Sequence, residues 1–281
     1  DDVRRFVKGD SGLTGALATR LAGSPDLYRT HGRSAHHSVN FVTSHDGFTL
    51  ADLVSYDHKH NEGNGEESRD GANENDSWNC GWEGDGAPAD VERLRRKQAR
   101  NFLAILFLSQ GIPMLVAGDE CGRTQGGNNN AYCQDSPVSW MNWKLRKEDE
   151  QLRRFVTRLI AFRRAHPRLT MSDFLDGGSA MAGAQWHGLH PGSPDWSSDS
   201  HLVVLQIPGG GGGSDILVAV NAQWHSQSLA LPPAPGGRTW RRVIDTGLES
   251  PDAIVQTADA APGHVSPDYV MNTRAVAVSA S

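Results

Sequence analysis

The sequence predicts a parallel α/β region followed by an all-β region, and three observations carry that prediction. Two short apolar runs, Ser38 to Ser44 (SVNFVTS) and Ile112 to Ala117 (IPMLVA), each empty abruptly into polar, acidic residues, as buried strands do at their loops. Each is followed by a long Gly/Asn-rich stretch and then by a helical pattern. After Pro167 the helical patterns vanish, and short β-rich runs separated by Pro, Gly and Asp take over. Strand, long loop, helix, twice over, is the repeating unit of a parallel α/β fold, and in a (β/α)8 barrel the loops after the strands carry the site.

Taken in order, Asp1 to Tyr28 reads as peripheral helix and loop, with a helical pattern at Thr14 to Leu21 between glycines. The run from Ser38 ends at His45-Asp46-Gly47, and a short helical stretch near Thr49 to Tyr56 opens a polar segment that lasts to Val91. A loop of that length inside a compact domain is usually functional. Glu92 to Ser109 is helical, basic at first and strongly apolar later, and Gly111 ends it. Ile112 to Ala117 then leads to Gly118-Asp119-Glu120 and a second loop through Asn128 to Asn130. Glu148 to Ala165 repeats apolar residues at near-helical spacing, with Pro167 as the stop. The expected strands beyond are Leu202 to Ile207, Ile216 to Val220, Leu229 to Leu231, Trp240 to Ile244 and Ala275 to Val278. Gly209 to Gly213 reads as a hairpin loop, since a phosphate cradle would need a following helix and Lys.

Composition narrows the function classes. The 281 residues include 27 Lys plus Arg against 33 Asp plus Glu, a net charge of −6, which argues against a general grip on phosphate backbones. No apolar run reaches the roughly 18 residues of a membrane helix. Three cysteines with no close pair argue against a disulfide scaffold or zinc ribbon and for a reducing, intracellular compartment. The start lacks Met and any targeting pattern, so the expectation is a chain that begins inside something larger.

Several residues could carry chemistry. His45 and Asp46 stand where a strand meets its loop, the place from which barrel enzymes present catalytic groups. Asp46 could equally cap the helix that follows. Asp119 holds the same position after the next run, able to bond substrate hydroxyls or backbone amides. The histidines at 36, 37, 45, 58 and 60 match no zinc spacing, and no metal is expected. Arg93, Arg95, Arg96 and Lys97 read as a solvated helix face. Trp78, Trp82, Trp140 and Trp143 lie in loops, where they either stack on sugars or hold the loops down.

The run Asn40 to Leu50 (NFVTSHDGFTL) with its continuation to Tyr56, Lys59-His60-Asn61-Glu62, Asn64-Gly65-Glu66 and Ser77 to Gly81 resembles isoamylase-type glycogen and starch debranching enzymes of the α-amylase superfamily. Ser109 to Met114, Gly118-Asp119-Glu120 and Gly127 to Tyr132 fit the same family in the same order. The resemblance runs from near the start to about Pro167, and Trp240 to Val255 resembles the C-terminal domain of plant, algal and cyanobacterial-like members.

The resemblance implies the C-terminal part of a (β/α)8 barrel, about its last two strands and their helices, over 1–170, and an antiparallel β-sandwich-like domain over 171–281. It implies retaining hydrolysis of α-1,6 branch points in glycogen- or amylopectin-type glucans. Of the family's three barrel acids only the last, a transition-state stabiliser, matches a position here, Asp46, with His45 beside it as a hydroxyl ligand. Asp119 and Asn130 are the further substrate-binding candidates. Asp1 to Asp10 resembles the stretch after the acid/base loop, so nucleophile and acid/base are expected upstream and the chain alone is expected to be inactive and prone to aggregate.

The partner expected is a branched α-glucan, with no nucleic acid, no membrane and no cofactor, and with homo- or hetero-oligomers of isoamylase subunits open. Location follows the source: plastid stroma in a plant or alga, otherwise bacterial cytoplasm. Two other readings stay open, a non-catalytic glucan-binding scaffold subunit and a different superfamily hydrolase.

Overall fold

The computed structural model describes residues 1–176, 183–256, 261–263 and 266–281. The first half is helical: α1 (Asp2–Lys8), α2 (Thr14–Leu21), α3 (Pro25–Tyr28), α4 (Leu50–Leu53), α5 (Ala89–Leu108) and α6 (Lys147–Ala165). Between them lie two very short strands, β1 (Val39–Asn40) and β2 (Ile112–Pro113), paired in parallel with Val39 opposite Ile112. Helix α5 is the crossover that joins them, as a parallel pair requires.

Both strands are shorter and more open than the sequence predicts. The expected runs of Ser38 to Ser44 and Ile112 to Ala117 shrink to two residues each, because among the described residues each strand has a neighbour on one side only and Pro113 offers no N–H to continue the ladder. Nor are they buried: Val39, Phe41, Ile112 and Met114 are 48, 54, 49 and 40% exposed.

The turn from α5 into β2 rests on a backbone only glycine tolerates. Gly111 has φ +110, and a Cβ there would stand 2.6 Å from the Ser38 carbonyl oxygen. Arg163 of α6 closes the junction by donating from Nη1 to the carbonyls of Phe107 and Ser109 and from Nη2 to that of Gly111, at 2.6–2.8 Å. Those carbonyls include orphan acceptors at a helix C-terminus.

The second half is all-β. Strands β3 (Gln185–His187), β4 (Leu202–Ile207), β5 (Ile216–Asn221), β7 (Arg241–Asp245) and β9 (Ala275–Ala280) form an antiparallel sheet in the order β3-β4-β5-β9-β7. Strands β6 (Gln227–Ala230) and β8 (Asp268–Met271) pair as a separate two-stranded sheet. The hairpin loop between β4 and β5 contains Gly209 to Gly213, as read from the sequence. Strands β3 and β8 escaped the sequence reading, being short and half polar.

Every residue of β4, β5 and β9 is buried, although antiparallel sheets often show one face to water. The alternation along each strand explains it. Val203, Leu205, Val218, Val220, Val276 and Val278 face the helical half and join Leu103, Ile105, Phe155 and Leu159 in one core. Leu202, Val204, Leu217, Ala219, Ala275 and Ala277 face the other way and pack with Leu229, Trp240 and Met271. The sheet is thus a wall between two cores, and each large side chain buried on it contributes roughly 1.5–3 kcal/mol.

Polar groups stitch the halves together where the apolar wall ends. Asn101 of α5 donates to the carbonyl of Arg274 and accepts from the Thr246 hydroxyl, while Arg100 donates to the carbonyls of Thr246 and Leu248. Lys97 donates to Thr273. The basic run of α5 is therefore not simply a solvated face. Arg93 is exposed, whereas Arg95 is buried and donates to the carbonyls of Gly84, Ser55, Asn79 and Trp82. None of the described helices is long and apolar enough to cross a membrane.

Candidate functional site

The end of β1 releases the chain into an irregular segment, 41–49, that carries His45 and Asp46. Both side chains are open to solvent, 89 and 76% exposed, with His45 Nε2 3.3 Å from Asp46 Oδ2. Asp46 does not cap α4. That role belongs to Thr49, whose hydroxyl accepts from the Asp52 amide at 3.2 Å. The carboxylate of Asp46 is left facing outward beside an imidazole, a pair able to grip vicinal hydroxyls.

Asp119 sits elsewhere than expected of a hydroxyl ligand. It is 1% exposed; Oδ1 accepts from the Leu50 amide at 2.8 Å and Oδ2 from the Thr43 hydroxyl. Burial raises its pKa to about 6 against the opposing pull of those two bonds. Asp119 thereby pins both ends of the segment that presents His45 and Asp46. Its backbone partner, Leu50, is on the neighbouring loop rather than its own.

A second buried carboxylate repeats the device. Asp52, fully buried, accepts from the Gln125 amide at 2.8 Å and from the Thr124 hydroxyl, and burial again pushes its pKa up. Beyond it the two long loops are joined by amide side chains. Asn61 bonds Asn129 through both its oxygen and its nitrogen, and Asn129 reaches on to Asn75 and to the Ala72 carbonyl. Asn130 donates to Asp70 Oδ2 at 2.9 Å, and Asn64 donates to the same oxygen and to the Asn130 carbonyl. These bonds lower the Asp70 pKa. Gly71 belongs to the same packing: a Cβ there would lie 2.1 Å from Asn129 Oδ1.

Asn130 is accordingly held within the loop network, and no hydrogen bond joins it or Asp119 to His45 or Asp46. Asp52, Asn61 and Asn129 were not singled out from the sequence. Their signal was the Asn/Gly richness of both loops, which reports amide pairing between loops without saying which asparagines pair.

The tryptophans divide. Trp78 packs against the core, whereas Trp82, Trp140 and Trp143 are 45, 56 and 82% exposed. Trp140 borders a cleft of about 1150 Å³ between α5, α6 and the 121–124 loop, which His45 and Asp46 do not line. Asp119 and its partner Leu50 do line that cleft. Among the described residues no group of three or more His, Cys, Asp or Glu could hold a metal ion, and the three cysteines are free.

The class of fold is defined by solved structures. The chain superimposes over its whole length on 30% of a pullulanase from Bacillus acidopullulyticus, with a TM-score of 0.70 at 20% identity. It also superimposes over 98% of its length on 40% of the catalytic module of the glycogen-degrading pneumococcal virulence factor SpuA, with a TM-score of 0.70 at 16% identity. The family is narrower. Residues 185–279 match the family described as isoamylase 1-3, C-terminal. The chain is 46% identical to the chloroplastic isoamylase 1 of Oryza sativa subsp. japonica over 251 residues, 89% of this chain and 30% of that protein. It is 43% identical to the glycogen operon protein GlgX homolog of Mycobacterium tuberculosis over 266 residues, 88% of this chain and 37% of that protein. The chain is similar to isoamylase-type debranching enzymes, and it spans about a third of the length of the curated relatives it matches.

Proposed function

We propose that this chain is part of a debranching glycoside hydrolase that cleaves α-1,6 linkages in branched α-glucans with retention of configuration. The observation that carries the reading is the His45-Asp46 pair, held outward at a strand end by a buried carboxylate, in a sequence 43–46% identical to relatives named isoamylase and glycogen debranching enzyme. In this reading 1–170 supplies two strands of a (β/α)8 barrel and 171–281 its C-terminal β domain. The parallel pairing of β1 with β2 through α5, and their open apolar faces, support it. Nucleophile and acid/base come from residues upstream of Asp1.

The chemistry assigned to Asp46 is stabilisation. Retaining hydrolysis passes through an oxocarbenium-like state, and a fixed carboxylate gripping ring hydroxyls favours the distorted ring and its positive charge. A third carboxylate nearby also keeps the acid/base group protonated at higher pH. His45 orients the same sugar. Asp119 acts through the loop it pins.

The test is a debranching assay on glycogen or amylopectin with the longer natural protein that contains this chain. Asp46→Ala is expected to lower turnover by at least about 10²-fold with the fold intact, the scale of losing one preorganised electrostatic group. A near-normal rate removes Asp46 from the mechanism. No hydrolysis by the unaltered protein, with glucan still bound, replaces the hydrolase by a scaffold subunit.

A further inference from the structure

A further exposed aromatic lies in the turn between β5 and β6. Trp224 is 65% exposed, yet its ring is held on two sides. The Arg274 guanidinium stacks over it at 3.6 Å from the ring centroid, and Trp78 meets it edge-on at 5.6 Å and 90°. Arg274 is itself 3% exposed and donates from Nη1 to the carbonyls of Val7 and Lys8 at the end of α1. A buried cation fixed by two backbone oxygens therefore backs an indole whose remaining surface meets solvent. The rim is polar: His225 pairs with Gln227 at 2.9 Å, and Gln223 with His201 at 3.3 Å.

We propose that Trp224 is a stacking platform for an α-glucan chain, separate from the site at His45 and Asp46. An immobilised indole loses little side-chain freedom on binding, which is what makes a preorganised surface adhesive. A flat apolar face bordered by amide and imidazole groups matches a pyranose, whose C–H face is apolar and whose edge is a ring of hydroxyls. A bare protein-binding patch would need contiguous apolar area, and His225, Ser226 and Gln227 follow the indole directly. The choice of α-glucan as the ligand class rests on the debranching reading.

The experiment uses the longer natural protein and maltoheptaose as probe. Exposed indoles are oxidised with N-bromosuccinimide and the products located by peptide mass spectrometry, with and without the sugar. Trp224 is expected to react, and saturating maltoheptaose to slow its oxidation at least about fivefold, while Trp196, held edge-on by Trp186, keeps its rate. Trp224→Ala is expected to weaken retention in a glycogen-containing native gel about tenfold, the scale of one aromatic stack, and Trp224→Tyr to restore most of it. Oxidation of Trp224 at the same rate with and without sugar, or no oxidation because another segment covers it, overturns the platform even if the Ala variant fails to fold. Protection of Trp224 in a protein that hydrolyses no α-1,6 bond upholds the platform and removes only the debranching reading.

Discussion

The strands β4, β5 and β9 and the pair β1 and β2 start from similar apolar runs and meet opposite fates. The first three are buried along their whole length because a helical layer covers one face and the β6–β8 sheet the other. In the second pair Val39 and Ile112 face each other across a ladder two residues long and remain about half exposed. Hydrophobicity proposes a strand; neighbours on both sides decide its length and burial.

The largest break in that comparison comes from the sheet. Leu205→Ala, at a position 1% exposed and shared with the helical core, is expected to cost about 2–5 kcal/mol in urea unfolding. A loss under about 1 kcal/mol would mean that the wall between the cores is loosely packed. The next effect comes from the carboxylate that pins the β1 loop. Asp119 has a folded pKa of about 6, above the ordinary 3.8, so its contribution is complete below the lower value and is lost as pH rises through the higher one. Stability should fall by on the order of 2 kcal/mol between about pH 4 and 6.5 from this group, and Asp119→Asn should flatten that part of the profile. An unchanged slope in the Asn variant would exclude Asp119 as its source. The smallest effect is on the open pair. Ile112→Ala in the 281-residue chain should change stability by about 0.5 kcal/mol or less, the range of a surface substitution. The same change in the longer protein should cost about 2–5 kcal/mol if upstream strands close over it. Equal small losses in both would argue against a closed barrel.

Much of this was legible in the sequence, and most of the exceptions beyond the short strands β3 and β8 share a cause. The helices at Thr14 to Leu21, Glu92 to Ser109 and Glu148 to Ala165 fall within three residues of the observed ends, because periodicity and stop signals are local. Leu202 to Ile207 is found as read, being a strand buried on both faces. The lengths of β1 and β2 were not legible, since they depend on partners distant in sequence. The same limit governed the site. His45 and Asp46 stand out in the sequence by their place after an apolar run, and both side chains are exposed in the segment that follows β1. Asp119 looked like its equivalent after the next run, and only the fold reveals that its oxygens face Thr43 and Leu50 across 76 and 69 residues. Arg95 and Lys97 misled for the same reason, because a charged residue on a helix declares its charge but not the carbonyls it will meet.

One feature of the sheet bears on how the molecule is made. In the order β3-β4-β5-β9-β7, the strand synthesised last among those described stands between two made earlier. Until β9 emerges from the ribosome, β5 lacks its second neighbour, β7 has no strand of this sheet beside it, and the helical core lacks Val276 and Val278 of its wall. With translation at roughly 5–20 residues per second, the nascent chain waits a few seconds with two adhesive edges open between the completion of β7 and that of β9. A stop codon just before Ala275 would then yield a product that chaperones hold and proteases clear, so late truncation is policed by the fold itself.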